Sequence, residues 1–210
     1  MTIDIVDAER PDAATIGRAA AVVAAGGVVA YPTDTFYALG ADPRRVAGVA
    51  AVFDAKGRDH RESLPLIAGS LDDIERVLGL LPPMAQRLAG VFWPGPLTLV
   101  VPLAAGALDP RVSAGRATVA VRVPGHAVAR AFASAAGGLL TSTSANRSGE
   151  PPATTAVGVL DSLAGSLGYV LDGGTTPGGP ASTIVDVCAS APRLIRAGQV
   201  PFDRVLESLR

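Results

Sequence analysis

Cysteine, histidine, lysine and aromatic residues are all scarce in this 210-residue chain, and each shortage excludes something. One cysteine cannot form an internal disulfide, and one cysteine with two histidines supplies too few soft ligands for a zinc site. A reducing, cytoplasmic compartment is therefore the expected setting. Only nine residues are Phe, Trp or Tyr, which argues against an RNA-binding module built on stacking rings. Eighteen basic against nineteen acidic side chains leave a net charge of −1, so general coating of nucleic acid is not expected either. Long hydrophobic runs are absent as well. The longest, Ala19 to Tyr31, is short of a bilayer span, contains Gly26-Gly27 and stops at Pro32, so no membrane association is expected. The opening MTIDIVDAER is acidic and lacks the basic-then-apolar layout of a signal peptide.

What is present is apolar. Hydrophobic residues make up 49% of the chain and mean hydropathy is +0.37, ample for a packed core and far from a disordered composition. With no internal repeat and no long linker, a single domain over 1–210 is expected. Among the basic residues, seventeen are arginine and one is lysine, Lys56, which draws attention to its surroundings.

Hydrophobic periodicity divides the chain into short alternating elements. Ile3 to Val6 reads as a strand and Ala13 to Ala25 as a helix with Ile16, Ala19, Ala20 and Val23 on one face, stopped by Gly26-Gly27. Val28 to Tyr31 is a β-branched, buried strand. Pro43 opens a second helix that ends near Lys56, and Leu64 to Ala68 is a strand. Ser70 with Asp73 resembles a capping box. Further helices are expected over Pro82–Val91, His126–Ala135, Thr154–Leu167 and Pro201–Leu209. Strands are expected over Leu97–Leu103, Thr118–Val123, Leu139–Ser142, Tyr169–Leu171, Ser182–Val187 and Arg193–Arg196. Several strands follow one another without a crossover helix, which favours a layered α/β fold with a mixed sheet over a purely parallel one.

Four strand ends carry more polar residues than a plain loop needs. In Pro32-Thr33-Asp34-Thr35, hydroxyls directly follow a buried strand and suit a ligand at its C-terminal edge; the other reading has Thr33 and Asp34 capping a following helix. Lys56-Gly57-Arg58 pairs a point charge with a bidentate fork, suited to a polyphosphate, or else it complements a helix dipole. The run Thr141 to Gly149 offers many donors to an anion or a base, or forms a Ser/Thr-rich turn. Arg122 shares a strand face with Thr118 and Ala120, and a charge there needs an acidic side chain or a ligand carboxylate as partner. Cys188 reads as a small core residue, His126 as a helix cap and Trp93 as packing at a turn. Asp172 and Asp186 are turn residues or metal-positioning groups, and no phosphate-binding loop of the G-x-x-x-x-G-K-[ST] kind occurs.

Together these stretches resemble the YrdC-type threonylcarbamoyl-AMP synthases. YPTDTFYALGAD, AKGR, FWPGPLTLV, VAVRVP, TSTSANRSGEPPAT, STIVD and LIRAGQV match in that order from Gly27 to the C-terminus. The resemblance implies an open ligand cavity in a twisted mixed sheet. It also implies a nucleotidyltransferase that makes threonylcarbamoyl-AMP and pyrophosphate from L-threonine, bicarbonate and ATP. A separate tRNA threonylcarbamoyl transferase complex would then use the product, and direct contact with tRNA is conceivable within that reading. Carried over by position, Thr33, Arg122, Ser142 and Ser182 contact threonine. Lys56, Arg58, Thr118, Ser144, Asn146 and Arg196 contact ATP, with Lys56 and Arg58 the catalytic charges. Mg²⁺ would come with ATP, and no metal-ligating residue is assigned. The chain departs from the common pattern at Gly69, where many members have histidine, and at Pro152, where many have serine. Longer members carry a second C-terminal domain, which is not expected here. A non-catalytic RNA-binding module and a ligand sensor are the competing readings.

Overall fold

The computed structural model describes residues 1–210, the side chain of Ala164 excepted. Eleven strands and seven α-helices are interspersed along the described chain. In order they are β1 (Thr2–Ile5), α1 (Ala13–Ala24), β2 (Val29–Tyr31), β3 (Ala38–Gly40), α2 (Val46–Lys56), β4 (Leu66–Ala68), α3 (Leu71–Leu78) and α4 (Pro83–Phe92). Then follow β5 (Leu97–Pro102), β6 (Thr118–Arg122), α5 (Ala127–Ala135), β7 (Leu139–Thr141), β8 (Thr143–Ser144), α6 (Ala156–Leu163), β9 (Tyr169–Asp172), β10 (Thr183–Asp186), β11 (Arg193–Arg196) and α7 (Phe202–Ser208).

The fold is the expected layered, mixed α/β type, with its strands divided between two sheets. One sheet runs β1-β9-β2-β3-β8 and the other β11-β10-β5-β6-β4-β7. Each mixes parallel and antiparallel neighbours: β9 lies parallel to β2 while β3 is antiparallel to it, and β6 lies parallel to β4 but antiparallel to β5. No described helix is long and apolar enough to cross a membrane.

Local chemistry explains most element boundaries. Asp12 caps α1 by accepting from the Thr15 N–H at 2.8 Å, and Ile16, Ala19, Ala20 and Val23 form its buried stripe. Ser70 caps α3 in the same way through Asp73. The second helix begins at Val46 rather than Pro43. There the Asp42 carboxylate takes the Arg44 N–H at 3.0 Å and Nε at 2.7 Å, which holds the chain in a turn. At the other end of α2, Gly57 adopts φ 58°, ψ 37°, and the N–H groups of Gly57 and Arg58 return to Asp54 and Phe53. This is a Schellman-type stop. Its left-handed residue sits between Lys56 and Arg58 and sends their side chains to different places.

The two sheets are joined where the chain passes from β7 to β8. Thr141 is fully buried there. Its Oγ1 donates to Leu39 O at 3.0 Å and accepts from the Ala41 N–H at 2.9 Å, while Tyr31 Oη donates to Thr141 O at 3.0 Å. The Thr141 and Tyr31 hydroxyls are thereby satisfied inside the core, as burial demands. Tyr31 meets Phe132 edge-on at 5.4 Å, which anchors α5 to the same point.

A second junction lies after β11. A Cβ at Gly198 would press on the Ala181 carbonyl oxygen and stand 2.5 Å from Ser182 C and Thr183 N. Gly198→Ala is therefore expected to lose about 3 kcal/mol, the upper end of over-packing, because backbone cannot move aside as a side chain can. Urea unfolding checks this; an unchanged midpoint would contradict the close approach.

Candidate functional site

Between the two sheets lies a cavity of about 400 Å³ whose walls are strand ends and the loops that follow them. Its lining contains three arginines, Arg58, Arg122 and Arg196, and several hydroxyls, and no carboxylate. Of the ten residues carried over from the resemblance, seven line it: Thr33, Arg58, Arg122, Ser142, Ser144, Ser182 and Arg196. Lys56, Thr118 and Asn146 do not. Thr118 stands at the opposite end of β6 from Arg122, paired with Pro102. Lys56 and Asn146 are buried behind the wall and bond to each other.

Arg122 ends β6 with its side chain 8% exposed, and the partner it needs is Asp34. Nη1 donates to the two carboxylate oxygens at 2.6 and 2.8 Å, and the Gly125 N–H adds a bond of 3.1 Å. Asp34 thus caps no helix, because the next element is β3. Burial alone would raise its carboxyl, but the Arg122 charge and these bonds outweigh that and hold its pKa below the usual value. Thr33 turns the chain at the same place. Its Oγ1 donates to Phe36 O at 2.7 Å and accepts from the N–H groups of Thr35 and Phe36.

Arg58 enters from the end of α2. Nη1 donates to Thr143 Oγ1 at 3.2 Å, and Nη2 reaches Ser63 O at 3.1 Å and Glu62 at 3.0 Å. Its Nε is buried with no partner; His126 Nδ1 is the other such side-chain atom among the described residues. A guanidinium with an unpartnered donor keeps its charge and its fork geometry at the cavity wall, the combination that recognises an anion. Arg196 also lines the cavity; it donates to Ser182 O at 2.8 Å and to Ser182 Oγ at 3.2 Å, and pairs with no carboxylate among the described residues. Burial, with the Arg122 charge nearby, lowers its pKa without threatening its charge.

The remaining sequence expectations fall outside the cavity. His126 occupies the position before α5 but makes no capping bond, and burial pulls its pKa down. Cys188 is exposed rather than in the core: it stands just past the end of β10, where burial still pushes its thiol up to about 11. Trp93 packs at its turn and donates to Leu97 O at 2.6 Å. Asp186 holds Arg193 and the Cys188 N–H, and Asp172 accepts from Tyr37 Oη and the Gly174 N–H. Among the described residues no cluster of three or more His, Cys, Asp or Glu could hold a metal ion. Pro152 lines the cavity, whereas Gly69 lines a separate apolar hollow of about 300 Å³ beside Trp93.

Sequence reasoning missed Thr98 and Ser63, both on the cavity wall, where Thr35 of the singled-out Pro32–Thr35 stretch also lies. Thr98 is 3% exposed and its hydroxyl lies 2.9 Å from that of Ser182. A lone threonine inside the apolar strand Leu97–Leu103 was the available signal, since a buried hydroxyl needs a partner.

The family model Sua5/YciO/YrdC, described as "Telomere recombination", matches residues 21–198. The chain belongs to this family. A threonylcarbamoyl-AMP synthase of Bacillus subtilis is 36% identical over 97% of the chain, which spans 59% of that protein. One of Thiobacillus denitrificans is 39% identical over 82% of the chain and 89% of its own length. The crystal structure of P. abyssi Sua5 complexed with L-threonine superposes with a TM-score of 0.92 at 34% identity, over 100% of this chain and 61% of that one. The chain therefore spans about three fifths of the Bacillus and Pyrococcus family members.

Proposed function

We propose that this chain is an L-threonylcarbamoyladenylate synthase, a nucleotidyltransferase that converts L-threonine, bicarbonate and ATP into threonylcarbamoyl-AMP, pyrophosphate and water. The observation that carries the reading is the carboxylate-free cavity with three guanidiniums. The P. abyssi relative, which was crystallised with L-threonine, supports it. The obstacle to any such reaction is charge, and the cavity presents three guanidiniums to meet it.

The threonine amine adds to the carbon of bicarbonate and water leaves, giving a carbamate. A carbamate oxygen then attacks the α-phosphorus of ATP and the bond to the bridging oxygen breaks, releasing pyrophosphate. Carbamate and triphosphate are both anionic, so repulsion between them must be offset. Arg122, oriented by Asp34, has Nε and Nη2 left for the threonine carboxylate. Arg58 and Arg196 are the cavity's other cations and meet the phosphates, the hydroxyls of Ser142 and Ser182 orient threonine, and Thr33, whose hydroxyl is taken up by its own turn, shapes the floor beneath it. No nucleophilic side chain is required. Mg²⁺ enters with ATP as part of the substrate, because the lining offers it no carboxylate. The product would pass to a separate transferase that modifies tRNA, and the cytoplasm is the compartment this implies.

Pyrophosphate release by the purified chain, with ATP and Mg²⁺ and with threonine or bicarbonate withheld in turn, tests the reading. Release that needs both supports it. Release that needs neither indicates a nucleotide hydrolase, and no release from folded protein favours a binding role.

A further inference from the structure

The single lysine of the chain does not face the cavity. Its side chain is buried, the residue being 4% exposed. Nζ donates to Ser144 O at 2.6 Å, to Asn146 O at 2.8 Å and to Asn146 Oδ1 at 3.4 Å. An ammonium has three N–H donors and no acceptor, so this set uses all of them. The contact is reciprocal, because the Ser148 N–H donates to Lys56 O at 2.9 Å. Asn146 completes the arrangement from inside the turn: Nδ2 donates to Arg147 O at 2.9 Å and to Glu150 O at 2.7 Å. Residues 144–150 are thus fastened to the end of α2 and to themselves by one ammonium and one amide.

We infer that Lys56 is a positioning residue: its ammonium, together with Asn146, clamps the turn 144–150 against the end of α2 and so places Ser144 and Arg58 on the cavity wall. It rests on the synthase reading for its consequence in catalysis, though not for the clamp itself. Reaching a phosphate would require Nζ to abandon three acceptors, the two on Asn146 buried and costly to leave unmet. The clamp also explains why this position holds lysine in a chain that otherwise uses arginine. Three oxygens converging on one point suit a compact ammonium, whereas a planar guanidinium is a fork for spaced acceptors. The left-handed Gly57 then turns the next cation, Arg58, into the cavity.

The test is a double-mutant cycle with Lys56→Met, Asn146→Ala and the pair, read as kcat and KM for ATP, with hydrogen exchange over 144–150 measured in parallel. Loss of the clamp misplaces the wall, so each single variant should lose about 10²-fold, mainly in kcat. The double variant should be no worse than the poorer single, because both changes dismantle one turn. Exchange at the amides of 144–150 should rise in both single variants, and Lys56→Arg should restore neither exchange nor kcat. Multiplying losses, with a rise confined to the KM for ATP and unchanged exchange, would overturn the inference and make Lys56 a direct phosphate ligand. If Lys56→Met does not fold, Asn146→Ala carries the test alone, since unchanged exchange there overturns the clamp. Wild-type protein that releases no pyrophosphate would sink the synthase reading while the exchange measurement still decides the clamp.

Discussion

Replacing Asp34 by alanine is expected to destabilise the chain by about 3–5 kcal/mol, the cost of leaving one member of a buried ion pair alone. Arg122 is 8% exposed and Asp34 20%, so water from the cavity replaces the lost carboxylate only in part. Chemical unfolding of the variant gives the number directly. The pair Asp34→Ala with Arg122→Met removes both charges and should recover much of the loss, because an apolar pair needs no partner. The dependence on pH has a definite sign. A carboxyl whose folded pKa lies below its unfolded value stabilises the fold above about pH 4, and that contribution is lost as the pH falls through the folded pKa. The gap between wild type and Asp34→Ala should therefore narrow under acid. An equal gap at pH 7 and at pH 3 would mean that the carboxylate charge is not what holds Arg122.

Activity should depend most on Arg58. Arg58→Ala is expected to lower kcat/KM about 10²–10³-fold, the scale for removing one preorganised donor from a developing charge. Stability should move far less, by about 1 kcal/mol, since the bonds to Thr143 and Ser63 O are ordinary ones and the orphaned Nε contributes none. Lysine at this position should rescue poorly, because a point charge cannot hold Thr143, Ser63 O and a ligand at once. Pyrophosphate release measured beside a thermal melt separates the two effects. A variant within threefold of wild type would remove Arg58 from the reaction.

Much of the architecture is legible from local pattern. The stripe of α1, the Ser70 cap of α3 and the apolar strands β2, β5 and β6 all follow from side-chain spacing. The short strands β3 and β8 do not. They lie within the stretches YPTDTFYALG and TSTSAN; β8 is a strand because Thr143 and Ser144 pair with Leu39 and Ala38, over a hundred residues away, and β3 is held between β8 and β2. Neither run carries a period of its own. The division into two sheets is hidden for the same reason: the chain changes sheet at Ser142, where a single run of hydroxyl residues gives no sign of a crossing.

At the site, residue type and order told which segments matter, and seven of the ten positions carried over do line one cavity. Whether a given side chain reaches that cavity was another matter. Lys56 and Arg58 are one glycine apart, yet the left-handed turn at Gly57 sends one to backbone carbonyls and the other to the cavity. Asp34 reads equally well as a cap or as a binding residue until Arg122, brought in from β6, claims it. Sequence by itself therefore determined the order of elements and the cationic segments, because these depend on short-range spacing and residue type, and its ordered motifs carried the family resemblance. Only the tertiary structure decided which charges are spent on the protein and which remain for a ligand, because burial and partners are set by contacts between residues far apart in the chain.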